Sequence, residues 1–488
     1  MEIRFAAAEY RADTTFADVE LTFARDARGW RVLRAGAEHL ALGPGYRPLR
    51  TVQCGVCSTD LARHFLPFPL PQVIGHELVA ADDDGRRYVV EINASHHARG
   101  LDGAACAFCQ AGLPTHCPDR LVLGIHDLPG GFGPRVLVPE HAMLPLPADL
   151  SLDTATLIEP FAAALHAVTT VAPRPGESIA VLGPRRLGLL VIAALAAHRR
   201  ARNRPGTFEI VALARRPAML EAAREIGADR GECVDEDPGR ASPRFDVVID
   251  TTGNPAALPL AAALARREVH IKSTHGQPSG GLQHVTELVV DELRIERLPE
   301  PTRLARFALT QERPPVIAWL AEAPAPPALR AVADLREGAA AAVLDQLAQH
   351  PDPAGLGRVD AAVVDTGAAL DAAVRPLPTQ ETSLVRPRGT LLVAPSEPAP
   401  AGSREGSPGP TAAVDGADLL EVVAARGVRV STSRCGDFAT ALALLAADPA
   451  LQRLGDRLIS HRYPATDLAQ AFATARSPNA LKVVVEHA

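Results

Sequence analysis

Cysteine, histidine and acidic residues stand at short spacings in the first quarter of the chain. A CxxC motif ends at Cys57, and the pair His76-Glu77 follows nineteen residues later. Zinc accepts thiolate, imidazole and carboxylate ligands, and a catalytic zinc site keeps one position open. Asp60, three residues after Cys57, is suited to accept the second ring N–H of a metal-bound His76. The spacing predicts a zinc site, although a lone CxxC also fits a redox pair or a structural site.

Three further cysteines form a Cys-x2-Cys-x7-Cys pattern made of Cys106, Cys109 and Cys117. The chain has seven cysteines, an odd number for a disulfide framework, and five of them lie in this first quarter. Such clustering suggests metal before disulfide. Three thiolates alone make a poor structural zinc site, because such sites are normally closed and four-coordinate.

A glycine turn stands between a buried-strand pattern and an apolar helix pattern. Gly183 and Gly188 match the first and third glycines of a dinucleotide fingerprint, and Arg185 replaces the middle one. At the end of the next strand, where a carboxylate would bind the ribose of NAD, the chain has Arg215 and Arg216. This arginine pair predicts a preference for NADP(H), although two solvated arginines fit the same pattern. The predicted cofactor-binding residues are Gly183, Pro184, Arg185, Arg186, Leu187, Gly188, Arg215, Arg216 and Thr252.

The elements that must position these residues change in character along the chain. Residues 1 to about 150 carry short β-like runs with dense Gly and Pro, typical of a small, partly barrel-like β domain. From Pro173 onward, strands alternate with helices, which predicts a doubly wound parallel sheet. Asp360–Gly367 and the segments after it repeat the pattern of Asp246–Lys272, so a partial internal duplication is expected, with chance resemblance as the alternative. Residues 398–411 suggest an exposed linker.

Composition sets limits on the class of protein. The chain has 488 residues, 47% of them hydrophobic and 22% charged, as in a soluble globular protein. The net charge of −7 gives no reason to expect nucleic acid as a partner. The longest apolar run, Leu187–Ala197, is shorter than the roughly 18 residues that a membrane span needs, and no signal-peptide core follows Met1. We therefore expect no membrane association and a cytoplasmic location.

Taken together and in order, these motifs resemble the zinc-dependent medium-chain dehydrogenase/reductase superfamily of alcohol, polyol, glucose and threonine dehydrogenases. The resemblance covers about residues 25–296 and 428–488 and leaves the middle segment unmatched. It implies an α/β protein with a GroES-like domain and a Rossmann domain, interrupted by a partial α/β repeat. The expected segments are 1–165, a GroES-like domain completed by 455–488; 166–296, the Rossmann domain; 297–427, the insertion; and 428–454, the end of the Rossmann domain.

The resemblance also implies roles for particular residues. Cys57, His76 and Glu159 are the expected catalytic zinc ligands, with Glu77 as the competing carboxylate. Thr59 stands where relatives have a hydroxyl that relays the alcohol proton. Some relatives have a relay histidine at position 62, where this chain has an alanine, so the path by which the proton leaves is unassigned.

The structural zinc pattern is incomplete relative to the family. The fourth cysteine would fall at Gly103, which has no ligand atom. His96 and His97 follow directly on the segment where relatives place that first cysteine. We therefore predict a Cys3His site of His96 (or His97) with the three cysteines. A lobe that has lost its metal, or a different ligand such as His116, remains the alternative.

The function implied is a zinc-dependent oxidoreductase. It would transfer hydride between NAD(P)(H) and a small alcohol, polyol, sugar or the corresponding carbonyl compound, as a homo-oligomer (dimer or tetramer). Two alternatives remain. One is a catalytically silent metal-binding relative that acts as a scaffold or regulator, and the other is a zinc-free quinone-type reductase.

Overall fold

The computed structural model describes residues 1–66, 68–201, 208–234, 241–273, 276–299, 313–375, 383–394 and 418–488. The chain divides into two compact units. The first unit consists of Met1–Leu165 and Cys435–Ala488, and the second of His166–Arg434. The segment predicted as an insertion thus belongs to the same unit as the segment predicted as the Rossmann domain. The linker expected at residues 398–411 lies outside the described residues.

The first unit begins with a four-stranded antiparallel meander. Its strands pair in chain order, and buried aromatic residues such as Phe23 and Trp30 pack on one face. The turn between the second and third strands requires Gly29, because a Cβ there would meet the Gly43 carbonyl carbon at 2.0 Å. The strands are β1 (Glu2–Tyr10), β2 (Phe16–Asp26), β3 (Gly29–Arg34) and β4 (Ala37–Gly43).

A second, seven-stranded sheet of the first unit carries the CxxC and His-Glu motifs. Its path is β11-β7-β6-β5-β24-β23, with β10 also paired to β5. The two short strands β8 and β9 pair with each other beside it. The strands of this middle segment are β5 (Tyr46–Gly55), β6 (Glu77–Ala81), β7 (Arg87–Val90), β8 (Asn93–Ala94), β9 (Leu121–Val122), β10 (Arg135–Pro139) and β11 (Met143–Pro145). The closing strands are β23 (Ile459–Pro464) and β24 (Lys482–Glu486).

Short helices connect these strands. The α-helices of the first unit are Ser58–Leu61, Ala107–Gln110, Leu152–Thr156, Phe438–Ala447, Pro449–Gln452, Leu454–Leu458 and Leu468–Arg476. A longer helix, Ile158–Val171, contains the point at which the chain leaves the first unit.

The second unit is built on one eleven-stranded sheet. The strands, in chain order, are β12 (Ser178–Leu182), β13 (Glu209–Ala214), β14 (Arg230–Cys233), β15 (Phe245–Asp250), β16 (Ala265–Ile271), β17 (Arg294–Arg297), β18 (Val316–Trp319), β19 (Asp334–Glu337), β20 (Val359–Val364), β21 (Val385–Val393) and β22 (Arg429–Thr432). The helices are Arg186–Ala201, Pro217–Ile226, Ala257–Leu264, Val285–Val290, Pro327–Arg330, Ala340–Gln349, Gly367–Val374 and Leu419–Arg426. Parallel strands alternating with helices confirm the α/β class expected from the sequence.

The strand order shows two half-sheets of the same topology. The order is β14-β13-β12-β15-β16-β22-β17-β21-β20-β18-β19, and within the described residues the β17–β22 pair alone is antiparallel. β18, β19, β20 and β21 repeat the arrangement of β12, β13, β15 and β16. The last strand of each half-sheet comes from the other half. β17 follows the first half-sheet in the chain but pairs in parallel with β21 of the second. β22 follows the second half-sheet in the chain but pairs in parallel with β16 of the first.

The apolar core of the second unit runs through both half-sheets. Buried residues of one cluster include Val248 on β15, Val430 on β22, Ile295 on β17 and Leu391 on β21. Because each half-sheet receives its last strand from the other, we infer that the two halves fold as one unit. Among the described residues, every helix is too short or too polar to span a lipid bilayer.

We expect Leu391→Ala to lower the free energy of unfolding by about 2–5 kcal/mol, since it removes a fully buried side chain from this shared core. The matched control is Leu344→Ala, which truncates a partly buried leucine packed at the margin of the same cluster and so costs less. Urea denaturation of both variants checks this. Equal midpoints for the two variants would contradict a core that continues into the second half-sheet.

Candidate metal and dinucleotide sites

The first candidate metal site lies where β5 meets the short helix Ser58–Leu61. Ligand atoms of Cys57, His76 and Glu77 lie within 4.8 Å of one another. Asp60 is 1% exposed and His76 is 2% exposed. The Asp60 carboxylate accepts the backbone N–H of Cys57 at 2.9 Å and lies 3.4 Å from Nδ1 of His76. The structure therefore brings Asp60 close to His76 without a hydrogen bond between Nδ1 and Oδ1, and the orienting role of Asp60 stays a prediction in which Nε2 of His76 would face the metal.

The electrostatics of this group suit a cation. Burial by itself would lower the pKa of His76, but the charges of Asp60 and Cys57 outweigh it and raise that pKa well above the ordinary value. Two neighbouring groups that together favour positive charge at an imidazole also favour a metal ion at the same place. A thiolate, an imidazole and a carboxylate are a ligand set that zinc accepts, so the residues present fit the metal.

A buried lysine accompanies Glu77. Nζ of Lys482 forms an ion pair with the Glu77 carboxylate and donates to the carbonyl of Val56 at 3.2 Å. This contact depends on Gly55, because β5 runs between β6 and β24, and a Cβ at Gly55 would meet Oε2 of Glu77 at 2.4 Å. Sequence reasoning missed this partner. The two residues are 405 positions apart, and Lys482 carried no role of its own in the sequence.

Two other predicted residues, Thr59 and Glu159, contribute no ligand atom to this group. Thr59 is half-buried in the helix Ser58–Leu61. Glu159 is half-buried in the first turn of the helix Ile158–Val171, and among the described residues the group of close ligand atoms includes Glu77 instead. The role of Glu159 as a zinc ligand remains a sequence-based prediction.

A second group of ligand atoms joins His96, Cys106, Cys109 and Cys117, again within 4.8 Å of one another. Nδ1 of His96 lies 3.2 Å from Sγ of Cys117 and 3.8 Å from Sγ of Cys109, and Sγ of Cys106 lies 3.7 Å from that of Cys117. All three cysteines are free thiols. Three sulfurs and one nitrogen converging at these distances fit a closed tetrahedral zinc site.

The contacts around this second group distinguish between His96, His97 and His116, the three histidines that the sequence offered as the fourth ligand. Nε2 of His96 faces the Asp119 carboxylate at 3.6 Å, which fixes Nδ1 as the nitrogen that points to the sulfurs. His97 instead pairs with Asp102 at 2.9 Å and is exposed, and the buried His116 is not in the group. Asp119 was missed, although its position two residues after the last cysteine is a usable signal.

Burial raises the pKa of Cys109 and raises that of Cys117 to about 12. Without a cation these thiols would therefore stay protonated at neutral pH. Zinc binds the thiolate form, so metal binding must release protons from this lobe.

The dinucleotide turn follows β12 in the second unit. Gly183 has φ +82°, a conformation that favours glycine, and a Cβ there would meet Cγ2 of Thr252 at 2.7 Å. A Cβ at Gly188 would lie 2.5 Å from the Gly183 carbonyl oxygen and 2.7 Å from Oγ1 of Thr251. Thr251 donates to the carbonyls of Leu182 and Gly183 at 2.9 Å each. Any side chain at either glycine would open this turn, and such a cradle fits a pyrophosphate at a helix N-terminus.

Arginines in the turn and just after β13 supply positive charge. Burial, together with the nearby charges of Arg186 and Arg216, lowers the pKa of Arg185 to about 10. Arg216 precedes the helix Pro217–Ile226, and Arg215 beside it is exposed at the carboxyl end of β13. Pro184 and Leu187 complete the turn and the first helical turn. Like charges gathered at a strand edge raise the affinity for an anion with more than one phosphate.

The acidic residue at the end of β15 belongs to the same edge of the sheet. Asp250 is 4% exposed, and burial raises its pKa to about 6. Its carboxylate accepts the backbone N–H and the hydroxyl of Thr252 at 2.9 and 2.8 Å. Thr252 is thus fixed beside Gly183, where the sequence predicted a cofactor contact.

The chain is similar to known proteins in part of its length. Residues 43–148 match the family described as the alcohol dehydrogenase GroES-like domain. The chain is 28% identical over 237 residues to sorbitol dehydrogenase of Bacillus subtilis, covering 45% of this chain and 65% of that protein. It is 27% identical over 208 residues to (R,R)-butanediol dehydrogenase of Saccharomyces cerevisiae, covering 36% and 53%. These matches show that residues 43–148 resemble the alcohol dehydrogenase GroES-like domain and that parts of the chain are similar to sorbitol and butanediol dehydrogenases.

A solved structure agrees with the fold. L-idonate 5-dehydrogenase of Escherichia coli superposes with a TM-score of 0.55 at 15% identity, covering 100% of this chain and 99% of that chain. This likeness confirms the GroES-like and Rossmann-type folds that the resemblance implied. The matches to the two curated relatives span less than two thirds of the length of each.

We expect His96→Ala to lose one zinc per chain and His97→Ala to lose none, because only His96 points at the three sulfurs. The two variants differ by one position and remove the same atoms, so each is the matched control of the other. Elemental analysis of dialysed protein gives the zinc content. Equal zinc in both variants would contradict the Cys3His assignment.

Proposed function

We propose that this chain is a zinc-dependent oxidoreductase that transfers hydride between a nicotinamide dinucleotide, with NADP(H) preferred, and a small alcohol, polyol, sugar or its carbonyl form. The observation that carries the proposal is the convergence of ligand atoms from Cys57, His76 and Glu77 beside the buried Asp60, a ligand set and charge that suit a catalytic cation. The names of the relatives, which are sorbitol and butanediol dehydrogenases, support the substrate class.

The first unit would supply the metal ligands. Cys57, His76 and a carboxylate would hold the ion, which when bound would supply Lewis acidity toward the substrate oxygen. Asp60 keeps the His76 ring oriented and its Nδ1 protonated, so the ring cannot turn away from the site. Thr59, in the helix that begins after Cys57, is the hydroxyl proposed to accept the substrate proton.

Glu77 is the carboxylate of this proposal, and Glu159 is the alternative drawn from the resemblance. Lys482 competes with a metal for Glu77, because its ammonium already contacts that carboxylate. Zinc affinity therefore depends on how the carboxylate divides between the two cations. We expect Glu77→Gln to weaken zinc binding more than Glu159→Gln, measured by competition with a chromophoric chelator. The opposite order would assign the third ligand to Glu159.

The second unit would hold the dinucleotide. The Gly183–Gly188 turn accepts the pyrophosphate, and Arg215 and Arg216 at the end of β13 accept the 2′-phosphate of NADP(H). The expected homo-oligomeric state and the cytoplasmic location remain predictions.

We expect Arg215→Ala/Arg216→Ala to raise the Kd for NADPH by about tenfold to a hundredfold while leaving that for NADH nearly unchanged, since charge-assisted hydrogen bonds are worth about 1.5–3 kcal/mol. Arg224→Ala, near the far end of the helix that follows Arg216, is the control for a general loss of positive charge. Isothermal titration measures all the affinities. NADH binding as tightly as NADPH to the unaltered chain would refute the preference.

We expect Cys57→Ala to lose one zinc and all alcohol oxidation while keeping its secondary structure, because the change removes one ligand atom of the group and only one sulfur atom from a half-buried position. Turnover is measured on zinc-loaded protein with polyols, aldoses and simple alcohols and both cofactors, and circular dichroism checks the fold. Unchanged turnover would show that this group is not the catalytic site.

A further inference from the structure

A stripe of polar side chains crosses the interior of the second unit's sheet. Glu268, His270 and Lys272 share one face of β16 and its continuation, next to Ser431 and Ser433 on and after β22. All five are buried, with exposures between 0% and 6%. Polar groups buried in a sheet destabilise it unless every one is hydrogen-bonded, and such a network specifies a unique arrangement when it is complete.

The hydrogen bonds of this stripe form a chain in which each group donates to the next, from Lys272 to Glu268. Ser431 donates its single hydroxyl proton to Glu268, so it must accept from Nδ1 of His270 at 2.8 Å. Burial lowers the pKa of His270 well below its ordinary value, so the ring is neutral. Nε2 therefore accepts from the hydroxyl of Ser433 at 2.9 Å. Ser433 Oγ in turn accepts from Lys272 at 3.2 Å.

Lys272 ends the stripe at the carboxyl edge of the sheet. Its ammonium donates to the backbone carbonyls of Ser433 at 2.9 Å and Arg434 at 2.6 Å. Its own backbone N–H continues the pairing with β15 by donating to Asp250 at 3.0 Å. The ammonium thus fixes the main chain of the two residues that follow β22.

Glu292 binds the same segment through a backbone N–H. Its carboxylate accepts the backbone N–H of Arg434 at 3.0 Å. Burial would raise the pKa of Glu292, but His166 and Arg388, together with the Arg434 N–H, lower it to about 2. The carboxylate is therefore ionised at all working pH values. Arg434 is held at its N–H by a fixed negative charge and at its carbonyl by the ammonium of Lys272.

This doubly held segment lies on the edge where the dinucleotide is proposed to bind. β12, β15, β16 and β22 are adjacent and parallel, so their carboxyl ends share one edge. In a doubly wound sheet the ligand lies across the carboxyl ends at the point where the strand order reverses. The adenosine half lies on the side of β13, which ends at Arg215, so the nicotinamide half extends toward β15, β16 and β22.

We propose that Lys272 is a positioning residue for the nicotinamide half of the cofactor, acting through the Ser433–Arg434 backbone that it holds against Glu292. This inference rests on the proposed function. The polar stripe behind Lys272 keeps its ammonium in place, because every other acceptor of the stripe is already used. The adenosine half is held by residues at the ends of β12 and β13, which Lys272 does not touch among its contacts described above.

Lys272→Met tests the proposal, because methionine keeps the length of the side chain and removes the three donated hydrogen bonds. Two ligands are titrated, NADPH and 2′,5′-ADP, which carries the adenosine half alone. We expect the variant to raise the Kd for NADPH about tenfold, the equivalent of one well-placed hydrogen bond, and to leave that for 2′,5′-ADP within about twofold. Lys272→Arg, which keeps the charge and donors, should recover part of the loss.

Val269→Ala is the matched control for general destabilisation. Val269 is fully buried on the opposite, apolar face of β16. Its truncation should lower the melting temperature without changing the ratio of the two Kd values. The proposal is overturned if Lys272→Met binds NADPH as the unaltered chain does, or loses both ligands equally. An unaltered chain that binds neither ligand would instead overturn the proposed function, so the two failures are distinguishable.

Discussion

The buried pair of Asp60 and His76 is the interaction on which the first unit's chemistry depends. A carboxylate at 1% exposure is costly unless it is compensated, and here the compensation is an imidazole at 3.4 Å and the backbone N–H of Cys57. The same carboxylate therefore sets both the direction of the ring and the start of the helix that carries Thr59. A cation beside Cys57 and His76 would complete the charge balance that the protein groups leave unfinished.

Close backbone approach is the second constraint, and glycine meets it in both units. Gly55 lets Lys482 cross over β5 to reach Glu77, and Gly188 lets a helix begin against the Gly183 carbonyl and the Thr251 hydroxyl. In each case the missing Cβ is what brings two charged or polar partners together. The sites thus depend on residues that themselves contribute no functional group.

Sequence reasoning singled out residues that lie close together in the structure where the pattern is local. The spacing of Cys57 and His76 indicated two members of the first group of ligand atoms, and the resemblance indicated His96 beside the three cysteines. That these groups bind zinc stays a prediction. Sequence reasoning was weakest where strand pairing brings together residues that are distant in the chain. Lys482 reaches Glu77 only because β24 pairs with β5, and no local pattern in either strand indicates that pairing. The repeated β-α pattern could be recognised in the sequence. The exchange of β17 and β22 could not, because hydrophobic periodicity does not indicate which strand pairs with which neighbour.

The sequence repeat and the exchanged strands also explain how the second unit accommodates so long an unmatched segment. The added strands extend the existing sheet and share its larger core, and a smaller cluster that includes Ile317, Trp319 and Val363 packs among the added strands themselves. Lys272 and Glu292 lie close to the junction of the half-sheets, where Arg388 of the second half pairs with Glu292. The second half-sheet therefore contributes to the charge that holds Arg434.

The central claim is that the protein places a cation beside a cysteine and a histidine that an aspartate orients. An anomalous difference map at the zinc absorption edge, from crystals of zinc-loaded protein, tests it most directly. The account predicts one peak bonded to Sγ of Cys57 and Nε2 of His76 and a second peak inside the His96–Cys106–Cys109–Cys117 group. A map with density only in the second group would contradict it.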